Sequence, residues 1–286
     1  MREPIEFHDA LVSFAERRVI NMKINMKIDR TKATAAFDAY VRAYDTADEK
    51  IKLKIDHTYR VCALCEEIAK RAGFKNDEVE LAWLMGLLHD VGRFEQLRRY
   101  NTFSDEASVD HAALGADILF GQGKIRDYTE DDSEDALLEK VVRSHSAYRL
   151  PKTFTEREIC FSNLLRDADK IDIFKVNIIV PLEEIYNVTT EEIENCTVSA
   201  AVMESFKEEH DTLRTLKKTP VDNIVAHISL AFELVYPVSL KIVAEQGCLG
   251  GLMEFRSKLP ETNQQLEEIR IAMEQYIEKK LDKCVS

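Results

Sequence analysis

Trp83-Leu-Met-Gly-Leu-Leu-His89-Asp90-Val-Gly-Arg93 decides how this chain is read. An apolar run, Trp83 to Leu88, stops at a histidine beside an aspartate, and a glycine and an arginine follow. Histidine and aspartate are strong ligands for intermediate and hard metals. Side by side at the mouth of a buried helix, they make sense if a metal sits there.

The sequence outward from this pair supplies further ligands: His57 before it, then His111, His145 and Asp169 after it. Their spacing is about one helix plus one connection. A lone histidine on an apolar helix is ordinarily a hydrogen-bonded core residue. Here four of the chain's seven histidines fall between 57 and 145, and one adjoins an aspartate at an expected helix end.

The periodicity predicts an all-α protein. Of 286 residues, 45% are hydrophobic and 32% charged, with nine glycines and six prolines. That composition fills a sizeable helical core. Helices are expected over residues 5–20, 31–45, 56–72 and 78–90. Gly73 sits where glycine favours a helix end, Asn76 or Asp77 caps the next helix, and Gly92 ends it. Ser104, Asp105 and Glu106 open a helix to about Phe120, and Gly121-Gln-Gly123 reads as a turn. The acidic run Glu130 to Asp135 reads as a solvated helix start reaching Ala147, and a helix follows over 155–176. Residues 190–215, 220–247 and 262–283 read as three more helices without obvious chemistry. The direct repeat Asn-Met-Lys-Ile-Asn-Met-Lys-Ile (21–28) reads as a connector. The expected organisation is an N-terminal helical extension (1–49), a metal-binding core (50–180) and C-terminal helices (181–286), forming one continuous helical domain.

Net charge is −13, which disfavours DNA and anionic membranes as partners. A small phosphorylated substrate stays compatible, because a metal or a local basic patch reverses the field inside a cleft. Six scattered cysteines suit packed thiols in a reducing cytoplasm; the Cys62–Cys65 pair lies within a helix and lacks a second pair to complete a zinc site. The N-terminus lacks the apolar segment of a signal peptide. The apolar stretch Ile224–Ala244, interrupted by His227, Glu233, Pro237 and Lys241, reads as a buried helix and not a membrane span.

Over about residues 50–180 the sequence resembles the HD-domain superfamily of metal-dependent phosphohydrolases. The resemblance rests on five stations: His57-Thr with a following valine; Leu-Leu-His89-Asp90-Val-Gly-Arg; Asp-His111-Ala-Ala-Leu-Gly-Ala; Val-Arg-Ser-His145-Ser; and Arg-Asp-Ala-Asp169-Lys-Ile-Asp. It implies an HD helical bundle with additional C-terminal helices. Members with two extra histidines between the pair and the distal aspartate hold two metals, and this chain has both extras. The implied arrangement puts His57, His89, Asp90 and Asp169 on one divalent ion, and His111, His145 and the second Asp90 oxygen on the other. Fe, Mn, Zn and Ni all suit such a set. A hydroxide between the metals would attack the phosphorus of a small phosphate ester, a nucleotide among the candidates.

Arg93, one turn after Asp90, and Lys170, next to Asp169, are the expected substrate-binding and catalytic cations. Arg98, Arg99 and Arg149 are further basic residues for which a surface role is as good a reading. The Gly-Tyr-Pro signature of the cyclic-dinucleotide phosphodiesterases is absent. The acidic residues that follow the pair in stringent-response hydrolases are replaced by Arg93 and Phe94. Two other readings stand beside hydrolysis: a di-iron oxygenase on the same six ligands, and a non-catalytic nucleotide sensor. The C-terminal third is expected to shape the pocket lid or a contact between copies of the chain in a homo-oligomer.

Overall fold

The computed structural model describes residues 26–282, which are helical with no strand among them. The expected helix over 5–20 and most of the repeat at 21–28 lie outside the described residues. The chain divides into two compact units, Met1–Ala168 and Asp169–Ser286, and the division falls inside one continuous helix.

The first unit is built around a helix that is buried on every side. Helix α1 (Arg30–Val41) is followed by α2 (Glu49–Arg71), α3 (Asn76–Leu88) and α4 (Val91–Tyr100). From Leu81 to Gly92 every residue is buried. A helix apolar all round has nowhere to go but the centre. α3 packs chiefly against α2, and Gly86 makes this possible: a Cβ there would lie 2.9 Å from the Cys62 Cα. Cys62, at this contact, and Cys65 are both buried. α2 ends as expected, with Gly73 at φ 81° and the Gly73 and Phe74 N–H groups donating to the Lys70 and Ala69 carbonyls.

Several boundaries differ from expectation. α3 stops at Leu88, and Gly92 does not end it but lies in the first turn of α4. The cap of α3 is neither Asn76 nor Asp77. The Glu78 carboxylate reaches back 2.9 Å to the Lys75 N–H, satisfying a helix-start donor from inside the helix. Residues 104–110 are loop, and helix α5 begins only at His111 (His111–Ala116), running into a π turn at Asp117–Gly121. α6 (Ile125–Tyr128) and α7 (Asp135–Ser144) follow, then α8 (Glu156–Ile179). The acidic run is only partly solvated: Glu134 is buried against Arg157, and Asp135 pairs with Arg126.

In the second unit the long helices expected over 190–215 and 220–247 are broken. After α9 (Leu182–Tyr186), the pieces are α10 (Thr190–Glu194), α11 (Ala200–Lys207), α12 (Asp222–Ser229) and α13 (Pro237–Gln246). After α14 (Cys248–Met253), only α15 (Pro260–Asp282) is long. The break before α12 has a polar cause. The buried Asp222 carboxylate accepts from the Ser199 N–H and hydroxyl and from the Lys218 and Thr219 N–H groups, which draws the chain into a turn. Pro237 at the start of α13 prevents continuation from the preceding turn. Phe232 stacks edge-on with Phe206 and Tyr276 to form this unit's aromatic centre. No helix among the described residues is long and apolar enough to cross a membrane.

Candidate metal centre

His89 and Asp90 occupy the two-residue break between α3 and α4. His89 closes α3, and Asp90 opens α4 at φ −104°, ψ 15°, a sparsely allowed conformation common at active sites. An aspartate at a helix start ordinarily caps the first turn with its side chain. Asp90 makes no such cap bond. Its carboxylate is turned instead toward four imidazoles.

The two carboxylate oxygens face different histidine pairs. Oδ2 lies 3.5 Å from both His57 Nε2 and His89 Nε2. Oδ1 lies 3.4 Å from His111 Nε2 and 3.7 Å from His145 Nε2. Within each pair the ring nitrogens point at one another, at 3.2 Å for His57–His89 and 3.0 Å for His111–His145. His57 comes from the middle of α2, His111 is the first residue of α5 and His145 caps the end of α7. All four are buried.

The far side of each ring explains why the near side faces inward. His89 Nδ1 donates to the Gly86 carbonyl and His145 Nδ1 to the Val142 carbonyl, each at 2.7 Å. His111 Nδ1 lies 2.7 Å from Asp105 Oδ2. With the proton held at Nδ1, the Nε2 lone pairs of these three rings are left to face a common centre. Lone pairs converging in a buried site call for a cation between them. Two ligands each about 2.1 Å from one metal, and 90–110° apart, are separated by about 3.0–3.4 Å. The nitrogen–nitrogen distances within the two pairs, 3.2 and 3.0 Å, are of this size, and the nitrogen–oxygen distances around Asp90, 3.4–3.7 Å, lie at its upper end or slightly beyond, so the residues present fit a divalent ion.

Asp169 lies on α8, one residue past Ala168. It offers a carboxylate to a group with His57 and His89 whose ligand atoms all lie within 4.8 Å of one another, and His89, Asp90 and His145 form a second such group. All six residues expected as ligands therefore occur in these groups or within 4 Å of Asp90. Lys170 follows on the same helix and is half-buried.

Burial alone would push the Asp90 carboxyl up, but Lys54, His89, His145 and Arg93 together hold it well below the usual carboxylate range. Burial pushes His111 down to about 4 against the opposing pull of Asp105, so its imidazole is neutral at ordinary pH.

Two residues that sequence reasoning passed over belong to the site. Lys54 Nζ donates to Asp90 Oδ2 at 2.8 Å. Its only signal is position, three residues before His57 and therefore on the same face of α2. Asp105, read as a helix start, is the partner of His111. Arg93 Nε lies 3.7 Å from Asp90 Oδ1. Arg98 and Arg99 pair with Glu95, and Arg149 stacks on Tyr148, so these three make surface contacts.

The chain was compared with known proteins. No curated protein and no solved structure matches it. The family model for the HD domain matches residues 55–176, a span that begins two residues before His57 and closes after Asp169. HD domains are helical modules typical of metal-dependent phosphohydrolases, and the segment 55–176 of this chain matches that domain family.

Proposed function

We propose that the protein is a metal-dependent phosphohydrolase that cleaves a small phosphate ester, with a nucleotide among the candidate substrates, at a binuclear centre. The observation that carries this reading is the division of the Asp90 carboxylate between two histidine pairs. One carboxylate with an oxygen toward each pair is suited to bridging two ions. His57, His89, Asp90 Oδ2 and Asp169 would hold one, and His111, His145 and Asp90 Oδ1 the other.

Two divalent ions in these positions would supply a water of lowered pKa as nucleophile and neutralise the phosphoryl oxygens. The protein's own side chains do the rest. His89, His111 and His145 keep their protons on Nδ1 and present bare nitrogens inward. The packed walls from Leu81 to Gly92 exclude bulk water, which strengthens every charge interaction in the site. Lys54 and Arg93 place two positive charges beside Asp90 in a chain of net charge −13. Together with the two ions the site would hold, they suit a substrate that carries a phosphoryl group. Lys170 is assigned a further phosphate contact from its place beside Asp169.

The test is Asp90→Ala in protein purified without chelators, with metals measured by elemental analysis. Phosphate release is followed over nucleotides and phosphosugars with Mn²⁺, Fe²⁺ and Ni²⁺. The wild type should carry about two ions per chain, and the variant should lose metal and turnover together. Full metal content and turnover in the variant would overturn the assignment.

A further inference from the structure

The loop at 101–110 takes in residues 104–110, which were expected to open a helix, and the bonds it makes link two parts of the site. Arg93 Nη1 donates to the Phe103 carbonyl at 2.6 Å, to Asp105 Oδ1 at 2.8 Å and to Gln96 Oε1 at 2.9 Å. Gln96, fully buried, directs its amide to the same Asp105 oxygen at 2.8 Å. The other Asp105 oxygen, Oδ2, is the one that holds His111 Nδ1. One carboxylate therefore grips the guanidinium beside Asp90 with one oxygen and a candidate metal ligand with the other.

Arg93 supplies an independent observation. Its Nε is buried and has no hydrogen-bond partner, while it stands 3.7 Å from Asp90 Oδ1. A buried donor left unmatched is costly, and an incoming phosphoryl oxygen would satisfy it. Asp105, Gln96 and the Phe103 carbonyl occupy the opposite end of the guanidinium and so fix where Nε points. Asp105, Asp110 and His111 also lie close enough to suggest a metal group of their own. Ordinary bonding accounts for that proximity: the Asp110 carboxylate caps α5 by accepting the Ala113 N–H at 3.0 Å, and Asp105 is taken by His111 and Arg93.

Resting on the binuclear reading above, we propose that Asp105 is a positioning residue coupling phosphate recognition by Arg93 to metal binding by His111. It touches neither substrate nor metal. It sets the Nδ1-protonated form of His111, and with the same carboxylate it aims Arg93 Nε toward the phosphate position. Coupling of this kind is reciprocal, so loosening either arm weakens the other.

Asp105→Asn is the direct test, because an amide has one oxygen for two sets of donors, so its NH₂ meets either the His111 N–H or the Arg93 and Gln96 donors head-on and one arm is lost. Mn²⁺ titration by calorimetry should show the first ion bound normally and the second weakened roughly 10- to 100-fold, the range for loss of a carboxylate behind a histidine ligand. The inhibition constant of inorganic phosphate and the KM should rise in the same variant, and Asp105→Glu should restore much of both. Two normal Mn²⁺ affinities, or an unchanged phosphate constant, would overturn the coupling. If Asp105→Asn does not fold, Arg93→Gln carries the test. Removing a cation beside Asp90 should tighten metal by charge alone, whereas coupling through Asp105 predicts a weaker second ion; equal or tighter binding overturns the proposal. A wild type that binds no second ion and releases no phosphate would instead refute the binuclear reading itself.

Discussion

Lys54 shows what one residue contributes that no pattern announces. It sits in the run Lys50-Ile-Lys-Leu-Lys54 at the start of α2, where lysines read as a solvated face. In the fold it is mostly buried, with Nζ 2.8 Å from Asp90 Oδ2 and 5.5 Å from the centre of the Phe103 ring. An aromatic face and a carboxylate hold the ammonium beside the position proposed for phosphate. A hydrogen bond from a charged group contributes about 1.5–3 kcal/mol. Lys54→Met should therefore lower kcat/KM by roughly ten- to a hundredfold. Metal content should be retained, because the removed cation repels rather than ligates metal. Lys54→Arg should recover part of the loss. Steady-state kinetics with elemental analysis decides; loss of metal with unchanged KM would make Lys54 a structural support and not a substrate contact. The ligands themselves were legible because histidine and aspartate at those stations have few competing explanations. Lys54 and Asp105 were not, since a lysine or an aspartate near a helix start has many.

Among the elements, the junction of α3, α4 and α5 places the site, and two glycines close it. A Cβ on Gly92 would fall 2.1 Å from the His111 carbonyl oxygen and 2.6 Å from the Gly115 nitrogen. α5 therefore approaches α4 backbone to backbone, and that approach carries His111 to Asp90. Gly92→Ala should destabilise by about 3 kcal/mol, at the upper end for overpacking a rigid contact. The thermal midpoint should fall by roughly 6–12 °C, and the second metal should bind more weakly as His111 is displaced. Gly250, helical with nothing within 4 Å of an added Cβ, is the control. Gly250→Ala should stabilise by about 0.5–1 kcal/mol. Equal midpoints for the two variants in a melting experiment would contradict the close approach. The existence of the helices was legible from apolar spacing, since α2, α3 and α8 each carry a long unbroken pattern. Their ends were less so. Gly92 reads as a terminator to anyone without its neighbours, because glycine for close packing and glycine for a turn look alike in sequence. The breaks between α10 and α13 were hidden for a related reason: apolar spacing continues through short 3₁₀ segments such as Leu230–Glu233, while the Asp222 turn depends on residues 23 positions apart.

Across the whole molecule, buried titratable groups make stability depend on pH in one direction on the acid side. His227, in the second unit, sits with its Nδ1 2.9 Å from both the Asn177 side-chain oxygen and the Tyr186 hydroxyl. Burial, with a smaller contribution from Lys217, pushes it down to about 4 from its ordinary 6.5. In the unfolded chain the imidazole takes up a proton near 6.5, but in the folded chain only near 4. Between these values the unfolded state binds more protons, so stability rises with pH. The contribution of His227 is complete above about 6.5 and drains away as pH falls toward 4. Asp90 and Asp105, both held below the usual carboxylate range, lose their contributions only at still lower pH, so the two limbs separate. The thermal midpoint of chelated protein should thus be level just above pH 6.5 and decline below it. His227→Gln, which keeps a hydrogen-bonding side chain without a titrating ring, should make the decline between about 6.5 and 4 shallower, leaving the share that His111 contributes over the same range. Calorimetric scans of both proteins across pH 4–8 measure the difference. A variant whose midpoint parallels the wild type throughout would place the acid sensitivity elsewhere, at His111 or among the 52 carboxylate side chains rather than at this histidine.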